Sequence, residues 1–211
     1  MTDPISIAIA VLALSVSAAT AWLTLFRRGT VKMTQPTIIF FGPDSPRSKT
    51  EAGAPKVYLR TLLFATSKRG RVIESMHLAL ERNETKQNFN FWVHGDEKLV
   101  RGSGMFVGES GVATNHHFMT PRDGNAFSFL PGTYRLSLYA RLLGDSENKL
   151  LFTRSLEVTS EIASQLSQTD AGLHFDWGPD SQSYLPHVEV RPEPSLPPDF
   201  AQIMNATFLP K

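Results

Sequence analysis

The chain has 211 residues, with 21 Lys and Arg against 20 Asp and Glu and a hydrophobic share of 41%. That share excludes wholesale disorder, and the absence of cysteine excludes disulfides, thiolate metal sites and a cysteine nucleophile. A formal net charge of +1 gives no case for nucleic acid, and no nucleic-acid partner is expected. The balance is uneven, however. Nineteen of the 21 basic residues precede Ser160, whereas the stretch from Ser160 onward holds seven acidic residues and two basic ones. A basic body with an acidic tail points to a partner for one of them, or to the tail folding back.

From Pro4 to Phe26 the chain runs 23 residues without a charge. As a helix this measures about 34 Å, enough for a hydrocarbon core of about 30 Å. Pro4 suits the first helical turn, and Trp22 falls where an interfacial aromatic belt sits. The run ends at Phe26 against Arg27 and Arg28, with Lys32 close behind. A cleaved secretory signal has a basic amino end, and Met1-Thr2-Asp3 carries no Lys or Arg. Residues 1–32 therefore read as a single-pass transmembrane anchor with a basic flank. Three basic residues follow the span and none precede it, which predicts a cytoplasmic carboxyl side. Ala13, Ser17 and Ala21 recur every four residues, a spacing that suits helix–helix packing and a homo-oligomer in lipid.

Residues 33–159 read as strands separated by turn chemistry. The runs are Thr37–Phe41, Lys56–Thr66, Arg71–Leu80, Asn88–His94, Gly104–Val107, Asn115–Met119, Ala126–Phe129, Thr133–Leu143 and Leu150–Thr159. Across Tyr134–Leu142 the apolar residues fall mostly on even positions, the period of a strand with one buried face. Ser67–Gly70, Arg82–Thr85, Pro121–Gly124 and Gly144–Asn148 supply the turns. Short, evenly spaced strands without an amphipathic helix among them predict an antiparallel β-sandwich.

At Pro131-Gly132-Thr133-Tyr134-Arg135-Leu136 the pattern resembles the penultimate strand of immunoglobulin-like and fibronectin-III-like domains. The resemblance implies that Tyr134 is a corner tyrosine bonding back to the preceding connection. It also implies that Thr133–Leu143 and Leu150–Thr159 are the last two strands. The missing cysteine pair excludes the antibody type. Such sandwiches host unrelated roles, so the resemblance concerns fold alone.

Residues 160–211 carry seven of the 14 prolines. Thr159 or Ser160 is placed to cap a short helix through Gln168, and Val190–Pro198 reads as extended and polyproline-like. Phe175, Trp177, Tyr184, Phe200 and Phe208 are too many large aromatics for a purely solvating tail. Part of the tail is expected to dock on the sandwich or on a partner, with Phe175, Trp177 and Tyr184 as the contact residues.

Motifs that would carry catalysis are scarce. The stretch RGSGMFVGESG at 101–111 has neither the dinucleotide spacing nor a following Lys-Ser/Thr, and bulges or loop turns explain it. There is no G-x-S-x-G elbow and no HExxH. His94, Met105, His117 and Met119 are weak metal candidates, since His with Met suits copper. Their order is similar to that of periplasmic copper chaperones of sandwich fold, with a much shorter second gap. A core and edge role is the reading preferred here, so no cofactor is expected. Lys68, Arg69 and Arg71, joined by Arg47 and Lys49, form a basic cluster suited to anionic lipid, each charge contributing ~1 kcal/mol near a leaflet.

Together these features predict a mostly β protein: an immunoglobulin-like sandwich between a transmembrane helix and a Pro-rich acidic tail. The expected role is a non-enzymatic scaffold or adaptor that binds another protein at the membrane face. The competing expectation is an extracytoplasmic domain binding a small ligand or copper.

Overall fold

The period-two runs build two antiparallel sheets, seen in a computed structural model that describes residues 3–44, 53–102, 104–121, 127–168 and 171–190. An apolar helix α1 (Pro4–Ala21) comes first and continues as a π-helical turn over Trp22–Phe26. The strands up to the second helix are β1 (Val31–Met33), β2 (Ile38–Pro43), β3 (Pro55–Ala65), β4 (Arg71–Arg82), β5 (Thr85–Phe89), β6 (Phe91–His94), β7 (Val100–Arg101), β8 (Met105–Val107), β9 (Val112–Met119), β10 (Gly132–Leu142) and β11 (Asn148–Val158). Helix α2 (Ser160–Gln168) leads to a final hairpin of β12 (Ala171–Gly178) and β13 (Ser183–Val190). One sheet runs β13-β12-β2-β3-β9-β6-β7, with β1 also paired to β3. The other runs β11-β10-β4-β5, with β8 also paired to β4.

Alternation decides which face is buried. On β3, Val57, Leu59, Thr61, Leu63 and Ala65 point inward, while the residues between them are half-exposed. On β10, Tyr134, Leu136, Leu138, Ala140 and Leu142 do the same from the other sheet. Phe41 ties the layers together. Its ring stacks on Phe129 at 5.0 Å and meets Tyr134 and Phe175 edge-on at 6.0 and 5.2 Å. Such geometry adds to area burial because ring edges and faces carry opposite partial charge. The Tyr134 hydroxyl donates to the Leu130 carbonyl at 2.8 Å, so this buried ring leaves its polar end satisfied. This is the corner bond that the Pro-Gly-x-Tyr pattern implied.

Three sequence expectations differ from the structure. The single run Asn88–His94 is two strands, β5 in one sheet and β6 in the other, because the chain switches sheets at Asn90. The run Ala126–Phe129 is not a strand over its described residues, Phe127–Phe129. Two of its rings cover the core instead: Phe127 meets Phe89 at 5.5 Å, and Phe129 lies on Phe41.

The third difference is the largest, for strand pairing runs on past Thr159. Helix α2 forms where expected, capped by Thr159, whose hydroxyl oxygen accepts from the Ile162 amide at 3.3 Å. Then β12 pairs with β2, adding Leu173 and Phe175 to the common core. The edge strand β13 contains Pro186, which a strand tolerates where one of its sides has no neighbour. The expected extended stretch from Arg191 to Pro198, together with Phe200, Phe208, Arg47 and Lys49, lies outside the described residues.

If the hairpin is part of the core, Phe175→Ala should cost about 3–5 kcal/mol of stability, the range for an aromatic cut to alanine in a packed interior. Leu185→Ser, on an exposed β13 side chain, should stay within about 0.5 kcal/mol. Denaturant unfolding of the full chain in detergent measures both.

Candidate functional site

Helix α1 presents its apolar side chains outward. Ile5, Leu12, Leu14, Trp22 and Phe26 are each more than half exposed, and no residue of the helix is buried. Several of its polar groups are nonetheless satisfied internally. The Asp3 carboxylate caps the first turn, accepting from the Ile5 amide at 3.1 Å. Ser15, Thr20 and Thr24 donate their hydroxyls to carbonyls four residues back, each at 2.8 Å. Trp22 and Phe26 stack at 5.7 Å at the far end. This is the one helix among the described residues long and apolar enough to cross a membrane. Ala13 and Ser17 are exposed on it and Ala21 partly so.

The join to the sandwich is short and pinned. Gly29 adopts φ +61, a left-handed conformation that favours glycine, and a Cβ there would sit 2.5 Å from the Ser67 Cβ. The Ser67 hydroxyl donates to the Arg28 carbonyl at 3.1 Å, and Arg71 Nη1 donates to the Gly29 carbonyl at 3.2 Å. Thr30 and Thr66 bond reciprocally: the Thr30 amide to Thr66 Oγ1 at 2.9 Å, and the Thr66 amide to the Thr30 carbonyl at 2.8 Å. Lys149 donates to the Thr30 hydroxyl from β11. The turn between β3 and β4 is therefore held beside the carboxyl end of the apolar helix.

That turn exposes Lys68 and Arg69, near the exposed Arg27 and Arg28. Two large apolar side chains accompany them. Phe106 is 63% exposed beside Gly70, and Leu143, 61% exposed, donates its amide to the Val72 carbonyl at 2.9 Å. Basic and apolar side chains mixed on the end nearest a membrane helix suit an interface of headgroups and acyl chains. Arg71 does not share this exposure. Its guanidinium pairs with Asp145 at 2.7 Å and also reaches the Leu143 carbonyl, which withdraws it from the expected lipid contact.

The other expected contacts are used within the chain. Phe175 is buried, so no partner reaches it. Trp177 meets Tyr184 edge-on at 5.1 Å and lies 5.3 Å from the Arg154 guanidinium. The Tyr184 hydroxyl donates to the Pro36 carbonyl at 2.8 Å and accepts from Gln35 at 2.7 Å. Burial raises its pKa to about 12. These bonds fasten the hairpin to the segment before β2.

The weak copper set is dispersed. Met105 is buried on β8 in the smaller sheet. His117 and Met119 lie on the outer face of the larger sheet, with the His117 ring 4.9 Å from Tyr58. His94 shares the opposite face with Trp92 and His116. His116, expected with His117 at a strand edge, is instead fully buried on the central strand β9. Trp92 Nε1–H donates to its Nδ1 at 3.2 Å, which leaves the remaining proton on Nε2 without a hydrogen-bond partner among the described residues. Burial, then the nearby His94 and His117, lowers its pKa to about 3. Burial and Lys56 lower that of His117 to about 4.

Sequence reasoning missed Gly29, Phe106 and Leu143 at the base. The available signals were a glycine directly after Arg28 and an aromatic inside the Gly-rich stretch. Compared with family models, curated proteins and solved structures, the chain matches none.

The two adjacent histidines of β9 predict an acid-sensitive fold. Both folded pKa values lie below the ordinary 6.5, so the unfolded chain binds more protons between them. Stability is then complete above about pH 6.5 and falls as pH drops toward 4. His116 contributes up to about 1.4 kcal/mol per pH unit crossed. His117 contributes less, because solvent reaches it. The unfolding midpoint should fall from pH 7.5 to pH 5, and His116→Gln should flatten that slope.

Proposed function

We propose that this chain is a non-enzymatic, single-pass membrane protein whose immunoglobulin-like sandwich stands on the inner leaflet and binds another protein there. The observation that carries the reading is the pinned join: an exposed apolar helix runs into Arg27–Thr30, which is bonded to the β3–β4 turn. The sandwich is held at the membrane surface, with Lys68 and Arg69 as lipid contacts and Phe106 and Leu143 beside them.

The immunoglobulin-like assignment is supported by strand order. The row β2-β3-β9-β6 faced by β11-β10-β4-β5 follows the A-B-E-D and G-F-C order of that fold, and the Tyr134 corner bond agrees with it. The β12–β13 hairpin is then an addition beside the first strand. The cytoplasmic side is supported by charge: Arg27, Arg28, Lys32, Lys68 and Arg69 are exposed after the span, and none precede it. Partner binding is the expected use of the long edge strands β11 and β13, whose outer sides pair with no other strand among the described residues. The helix, through Ala13, Ser17 and Ala21, is the proposed route to a homo-oligomer.

The intact chain should remain in the membrane pellet through alkaline carbonate and leave it only with detergent, and removal of residues 1–26 should release it. Recovery of the intact chain from the soluble pool would overturn the reading. A reporter fused after Lys211 should work in the cytoplasm; activity on the opposite side would favour the extracytoplasmic ligand-binding alternative. In nanodiscs, amides of Ser67–Arg71 should exchange more slowly over anionic than over neutral lipid, and Lys68→Glu with Arg69→Glu should erase the difference.

A further inference from the structure

The outer face of the terminal hairpin carries a cluster unrelated to the membrane-proximal base. His174 and His187 face each other across β12 and β13, and Glu189 faces Gly172 one step along. Leu173 and Phe175 point into the core, so His174, His187 and Glu189 all lie on the opposite side of the sheet. The imidazole rings stack with centroids 5.1 Å apart and planes 13° apart. His174 Nε2 stands 3.4 Å from Glu189 Oε2. One donor atom from each of the three residues falls within 4.8 Å of the others.

We propose that His174, His187 and Glu189 bind one first-row divalent cation of borderline softness, with Zn²⁺ the best fit. Two ligand atoms each about 2.0–2.1 Å from a tetrahedral Zn²⁺ are about 3.3–3.4 Å apart, and the His174–Glu189 separation of 3.4 Å meets that condition. Two neutral imidazoles and one carboxylate are the donor set that zinc shares with copper and nickel, whereas magnesium and calcium prefer oxygen alone. Water or a side chain from a partner completes the shell.

The surroundings hold the donors in place. Asp176 Oδ2 lies 3.2 Å from His187 Nδ1. That contact turns the ring so that Nε2 remains for the metal, the arrangement by which a carboxylate orients a ligating histidine. Under His174 lies Phe40, almost fully buried although on the outer face, its ring meeting the imidazole edge-on at 4.9 Å. Phe40 lies flat there because its neighbours are glycines: a Cβ at Gly172 would come 2.1 Å from its ring and one at Gly42 2.5 Å. Gly172 also presents no side chain opposite Glu189, so the carboxylate has room to reach His174. The cluster is far from the bilayer end. Phe40 pairs with Tyr58, seven residues or about 23 Å along β3 from Ala65, where the join is made.

The test uses the full chain in detergent, without a polyhistidine tag and stripped of metal with a chelator. Calorimetric titration with Zn²⁺ should show one saturable equivalent of micromolar or tighter Kd, undisturbed by excess Mg²⁺. Co²⁺ should give the visible absorption of a four-coordinate site. His187→Gln and Glu189→Gln should each weaken Zn²⁺ binding at least ~10-fold, and Asp176→Asn by ~10-fold. All three side chains are substantially exposed, so an unchanged unfolding midpoint without metal should accompany each loss. His94→Gln should bind as the parent does. No saturable binding to the parent chain, or binding that survives His187→Gln and Glu189→Gln unchanged, would overturn the proposal.

Discussion

The structure depends on one constraint of solvation. Helix α1 bonds its backbone and the Ser15 and Thr20 hydroxyls within itself yet turns Ile, Leu, Val and aromatic side chains outward along its length. Water is a poor solvent for that surface, and none of the described residues buries it, the sandwich filling its own interior with Phe41, Phe118, Tyr134 and Phe175. A hydrocarbon environment, which the helix is long and apolar enough to cross, would remove the conflict. The remaining features of the base then follow: a glycine that turns the chain, an arginine spent on holding carbonyls, and exposed basic groups around the point of emergence.

What was legible in the sequence follows physical range. The anchor could be read because an uncharged run is a local property, and β10 because strict alternation and Pro-Gly-x-Tyr lie within a dozen residues. The final hairpin was also there to be seen: Leu173, Phe175 and Trp177 alternate with His174 and Asp176. Proline content concealed it, and Pro186 in particular, which argues against a strand unless that strand is known to be an edge. The imidazole–carboxylate cluster had one local trace, the His187-Val188-Glu189 spacing that places two donors on one strand face. His174 joins them only through the pairing register, which no local pattern states. The exchange of sheets at Asn90 was hidden for the same reason.

The histidines of the larger sheet sit in two kinds of surroundings. Inside, His116 is held neutral by burial and by the indole N–H that occupies its Nδ1, so acid works against it. On the outer face of the terminal hairpin, His174 and His187 stand beside Glu189 and Asp176, a donor set that suits a metal. The same residue type thus weakens the fold in acid on β9 and offers a ligand site on the terminal hairpin. The difference arises from what each imidazole faces: an indole N–H and apolar rings at His116, carboxylates at His174 and His187.

The pinned join at Gly29 and Thr30 has a mechanical consequence. A sandwich on a loose leash would wander far from its helix, but one bonded to Arg28, Gly29 and Thr30 within four residues of Phe26 is kept close to the helix end. Should two such helices meet in the bilayer, their crossing angle would be passed directly to the exposed edges above, and geometry set within the lipid would decide which edge confronts which.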